Sequence, residues 1–91
     1  MTKPYRFVED VFSDVRELRD RLKAQGDQEG ARVLDDVLRR SIANPVEAVN
    51  EIIEALEQIR PESVRILPPA DAEMLDRVLE GAKRLYGTPY H

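Results

Sequence analysis

The chain has 91 residues, a formal net charge of −4, 42% apolar and 35% charged residues, no Cys, no Trp and a single His. These numbers describe one small globular domain; they exclude disulfides, thiolate metal sites, cysteine nucleophiles and any site built on several imidazoles, and they weigh against a general nucleic-acid binder. No apolar run approaches the roughly 18 residues of a membrane-spanning helix and no apolar leader precedes the first amphipathic segment, so the expectation is a cytoplasmic protein with no membrane contact.

The first segment predicts a helix near 5–25. Val8, Val11, Val15, Leu18 and Leu22 alternate at three- and four-residue spacing on one seam, and Phe7 and Phe12 widen it. Glu17 stands four residues before Arg21 and Asp20 three before Lys23, both in pairing range on the solvent face. Gly26 is placed as the left-handed residue that ends the helix. The seam is too short to demand a coiled coil and predicts packing within the chain, with a homodimer as the alternative.

The second segment predicts a helix near 28–42, capped by Asp27 and apolar at Ala31, Leu34, Val37, Leu38 and Ile42. Gly30 in its first turn costs about 1 kcal/mol relative to Ala, which implies a fraying start or a close contact at that point. Arg39 and Arg40 complement the carbonyl end of the helix dipole.

The third segment is the best marked. Asn44 suits an N-cap, Pro45 the first helical position and Glu47 the reciprocal capping position. Val46, Val49, Ile52, Ile53, Leu56 and Ile59 line one face and should form the centre of the core, and Pro61 should stop the helix, giving a span near 45–60. This stretch carries four acidic residues against one basic. Glu47, Glu51 and Glu54 share its solvent side, where they would repel DNA phosphates, and without imidazole partners they do not make a metal site.

Residues 61–70 read as a proline-rich extended connection through Pro61, Pro68 and Pro69. Its Val64, Ile66 and Leu67 either fold over the core or form an exposed apolar strip for a partner. A last helix near 71–86, capped by Asp71, presents Met74, Leu75, Val78, Leu79, Ala82, Leu85 and Tyr86. Residues 87–91 should form a frayed tail.

No phosphate-binding glycine loop, dinucleotide fingerprint, EF-hand spacing or nucleophile elbow occurs, and none of Ser13, Ser41 and Ser63 has a basic partner by spacing. The setting of Ser41, before an acidic helix, is similar to that of the attachment serine of acyl carrier proteins. That family's Asp-Ser-Leu is here Arg40-Ser41-Ile42, so no attachment site is assigned. In size and composition the chain resembles small bacterial immunity proteins, antitoxins and phage-encoded inhibitors.

The expectation is therefore an all-α antiparallel four-helix bundle without catalytic residues, metal or cofactor. It would act as an acidic protein-binding regulator or inhibitor, with Glu47, Glu51, Glu54, Phe7, Phe12, Val64, Ile66, Leu67, Tyr86 and Tyr90 as candidate contacts. A carrier with an apolar pocket in the bundle and a homo-oligomerisation domain are the alternatives.

Overall fold

The structure, a computed structural model, describes residues 8–40 and 45–87, with the side chains of 8, 45, 46, 86 and 87 left aside. These residues form α1 (Val8–Ala24), α2 (Gln28–Arg40), α3 (Pro45–Ile66) and α4 (Pro69–Gly87). The expected start of α1 at 5–7, Asn44 as a cap, the last residues of α2 and the tail after Gly87 lie outside the described residues.

Each helix packs on its sequence neighbour, and α4 returns to α1. Ion pairs record the antiparallel register: Arg60–Asp76 (2.7 Å) and Glu57–Lys83 (3.0 Å) run in opposite order along α3 and α4. The α3 organiser expected from sequence is half of the arrangement. Both α1 and α3 touch all three other helices, whereas α2 and α4 do not meet, so α1 and α3 form the central diagonal. The smallest extent of the molecule is 19 Å, the thickness of two helix layers at roughly 10 Å each.

The core follows the predicted stripes. Val11, Val15, Leu18 and Leu22 of α1, Leu34 and Val37 of α2, Ile52 and Leu56 of α3, and Leu75 and Val78 of α4 are all at most 1% exposed. Phe12, at 8%, also faces inward. Burial of these side chains, at about 25 cal/mol per Å² of apolar surface, is the main force holding the bundle.

The turn from α1 to α2 forms as its residues require. Gly26 has φ +83°, the Gly26 N–H donates to the Lys23 carbonyl (3.1 Å) and the Asp27 N–H to the Leu22 carbonyl (2.8 Å), a Schellman closure. Asp27 then caps α2: its Oδ1 accepts the Gly30 N–H at 3.0 Å.

Two expectations need correction at the other turn. Pro61 does not stop α3, which continues to Ile66, so the expected connection of 61–70 shrinks to Leu67 and Pro68. Proline removes one helical hydrogen bond and crowds the preceding turn, a cost of about 3 kcal/mol in a helix interior. The continuation offsets it by burying Ser63 (1% exposed) and Leu67 (6%), and by a hydrogen bond that Ser63 makes to Asp27. Pro61 itself lies on the solvent side, where water can satisfy the carbonyl it deprives of a partner.

Asp71 is likewise not the cap of α4. The Pro68 carbonyl accepts the Ala72 N–H (3.0 Å), which makes Pro68 the capping residue and Pro69 the first helical one. Asp71 is then at the position from which an acidic side chain normally reaches back to the cap N–H, but Pro68 has none. Its carboxylate turns instead to Arg21 of α1, 2.6 Å away.

Candidate functional site

Much of the described surface is already engaged by contacts that hold the helices together. Among the described residues, several charges are paired between helices. Arg19 bonds Asp35 at 2.8 Å, Lys23 approaches the same carboxylate at 3.6 Å, Arg40 approaches Glu51 at 3.6 Å, and Arg21 bridges Glu17 and Asp71. The expected Glu17–Arg21 pair forms, at 2.8 Å; of the expected Asp20–Lys23 pair, Asp20 is held by Arg19 and Lys23 by Asp35. The Arg19 guanidinium beside Asp35 holds its carboxyl below the usual carboxylate range, against the opposing effect of partial desolvation. Arg32 does the same to Glu29 by hydrogen bonding. These pairs lie at the surface, where solvent screening and the ordering of long side chains leave each with little net effect on stability.

The acidic residues proposed from sequence do not form one cluster. Glu47 and Glu54 are exposed on the outer side of α3, while Glu51 is drawn toward α2 by Arg40. The extension of α3 past Pro61 adds Glu62 to the same outer side, together with Arg65. Among the described residues, no three carboxylates or imidazoles converge so as to share a cation.

The apolar candidates divide sharply. Phe12 and Leu67 belong to the core and are withdrawn as surface contacts. Val64 is half-buried. Ile66, at 47% exposed, is the one large apolar side chain among the described residues that stands in solvent. Phe7 and Tyr90 lie outside the described residues, as does the Tyr86 side chain.

The position of Ile66 has a simple cause. Ala48, Ala55, Ile59 and Ile66 repeat at seven-, four- and seven-residue spacing along one stripe of α3, and the first three are 0%, 5% and 6% exposed. At Ile66 the stripe runs past the end of the bundle, and the chain turns into Leu67 and Pro68. Exposed Pro68, Pro69 and Ala70 follow, so the α3–α4 corner ends in a small apolar cap beside Glu62 and Arg65.

Open grooves lined by described residues include one on each of two helix pairs. One, between α3 and α4, is lined by Glu57, Arg60, Asp76 and Lys83 with Pro61 and Leu79; the other, on α1 and α2, by Lys23, Arg32, Asp35 and Arg39 with Gln28 and Ala31. Charged side chains dominate both, a poor lining for an apolar ligand.

Sequence reasoning missed one polar centre. Ser63 Oγ donates to Asp27 Oδ2 at 2.6 Å, in a site where Ser63 is 1% and Asp27 7% exposed. Asp27 thereby caps α2 through one oxygen and anchors the end of α3 through the other. A signal was present: Ile52, Leu56, Ile59, Ser63 and Leu67 continue the core spacing straight through the proline.

No family model, curated protein or solved structure matches the chain. No helix among the described residues is long and apolar enough to cross a membrane.

Proposed function

We propose that the protein is a non-enzymatic binding module that docks a partner protein through the outer side of α3 and the corner that ends it. What carries this reading is Ile66, the one large apolar side chain left in solvent among the described residues, at the end of a stripe that is otherwise buried. Glu47, Glu54 and Glu62 extend from it along the exposed side of the same helix. An apolar knob with an acidic ridge suits a partner surface that offers a small apolar pocket beside basic residues. The knob would supply residence time, because truncation of a desolvated anchor raises the dissociation rate, and the ridge would supply association rate. Such a module masks or positions its partner, in the manner of a small regulator or inhibitor.

The test compares wild type, Ile66→Glu and a Glu47→Lys, Glu54→Lys, Glu62→Lys triple variant against a partner recovered by the wild-type chain. The Ile66 variant should dissociate at least tenfold faster, and the triple variant should associate more slowly with a weaker dependence on salt. Unchanged kinetics in both variants, with folding intact, would reject the proposed surface.

A further inference from the structure

We propose that the end of α3 beyond Pro61 is a separately opening unit, latched to the α1–α2 turn by the hydrogen bond from Ser63 to Asp27. Pro61 has no N–H, so the helical ladder is interrupted between the body of α3, which ends in the Arg60–Asp76 pair, and the turn Glu62–Ile66. The ladder therefore transmits less of the stability of the bundle to that last turn. Two side-chain anchors hold it: Leu67, which follows the turn and is only 6% exposed, and Ser63, only 1% exposed with its hydroxyl 2.6 Å from Asp27 Oδ2.

The anchor is built for close approach. A Cβ on Gly30 would stand 2.7 Å from Asp27 Oδ2, 3.0 Å from Cγ and 3.1 Å from Oδ1, so glycine at this position lets the carboxylate lie flat over the first turn of α2 while it faces Ser63. Among the described residues no buried side-chain nitrogen or oxygen lacks a hydrogen-bond partner, so in the closed state the centre is fully satisfied. Opening the turn exposes Asp27 and Ser63 to water, which replaces their mutual bond. The cap on Gly30 persists, and α1, α2, α4 and the body of α3 remain packed. Such a partial opening lies below global unfolding in free energy.

Ile66 sits on the same turn as Ser63, so the latch sets the position in which Ile66 is presented. That consequence rests on the binding surface proposed above; the opening itself does not.

Residue-resolved amide hydrogen exchange across a series of sub-denaturing denaturant concentrations tests the proposal on the full chain without any partner. The amides of Val64 to Leu67 should exchange through an opening that is nearly independent of denaturant and faster than that of Leu18 and Leu22, joining the global transition only at high denaturant. Ser63→Ala should accelerate the low-denaturant exchange of Val64 to Leu67 about tenfold or more, since a hydrogen bond to a charged group is lost. Pro61→Ala, which restores the missing N–H, should slow the same amides by a similar factor. Exchange of Val64 to Leu67 along the global transition at every denaturant concentration would overturn the proposal, as would rates unmoved by either substitution. Failure of Ile66 to bind a partner would leave the exchange result standing.

Discussion

Replacing Gly30 by Ala should destabilise the protein, although the same change in an ordinary helix stabilises it. In the first turn of α2, helix propensity favours Ala by up to about 1 kcal/mol. Here the new Cβ would meet all three carboxyl atoms of Asp27, at 2.7, 3.0 and 3.1 Å. Rotating the carboxylate about its own bond does not help, because Cγ itself is 3.0 Å away. The whole side chain must swing, and both oxygens then leave their partners, the Gly30 N–H at 3.0 Å and Ser63 Oγ at 2.6 Å. Losing the cap costs about 1 kcal/mol, and losing a buried hydrogen bond to a charged group about 1.5–3 kcal/mol. The net loss is about 2 kcal/mol, which for a domain of this size lowers the melting temperature by roughly 8–16 °C. Thermal and urea unfolding followed by circular dichroism measure it directly. A Gly30→Ala variant as stable as wild type, or more so, would refute the view that Asp27 bridges α2 and α3 at close quarters.

Ile66→Ala should change stability by less than about 0.5 kcal/mol, as expected of a surface site, whereas Leu34→Ala, at a position that is 0% exposed, should cost about 2–5 kcal/mol; chemical denaturation of the two side by side checks the contrast. Asp35 has a depressed carboxyl pKa in the folded state, chiefly from its bond to Arg19, so it stabilises the fold above its ordinary value near 3.8, and this contribution is lost as pH falls through the lower folded value. Wild type should therefore exceed Asp35→Asn in stability at pH 6, by less than about 1 kcal/mol because the pair is partly exposed, and the gap should close toward pH 2. A gap that widens on acidification would contradict the assigned direction.

Much of this fold is legible in the sequence because its helices are amphipathic with short connections. The stripes of α1 and α2 lead to the side chains that are buried, and Gly26 and Asp27 perform the turn and cap that their types suggest. The end of α3 is not legible from local rules. Pro61 is a stop signal by itself, and only the tertiary burial of Ser63 and Leu67, with the bond from Ser63 to Asp27, carries the helix past it. The misplaced cap of α4 follows from the same error: once α3 extends to Ile66, Pro68 is the residue left to cap α4, and Asp71 is free to pair with Arg21. For the candidate site, Glu47 and Glu54 are read from sequence as solvent-facing and are exposed, whereas Val64, Ile66 and Leu67 are read as one strip that either folds over the core or stands in solvent; the structure splits it, with Leu67 in the core, Val64 half-buried and Ile66 exposed, and with Phe12 it shows that an apolar surplus cannot be sorted into core and surface without the packing. Glu51 was also out of reach of the sequence, because its approach to Arg40 depends on the register of α2 against α3.

The claim that the α3–α4 corner is the contact surface is tested most directly by placing a photo-crosslinking side chain at position 66 and, as a control, at the exposed position 29 of α2, and irradiating each in the native host. Position 66 should give a discrete adduct that position 29 does not give, and Glu62→Lys should diminish it. Adducts of equal yield from both positions, or none from position 66 in a correctly folded chain, would contradict the proposed surface.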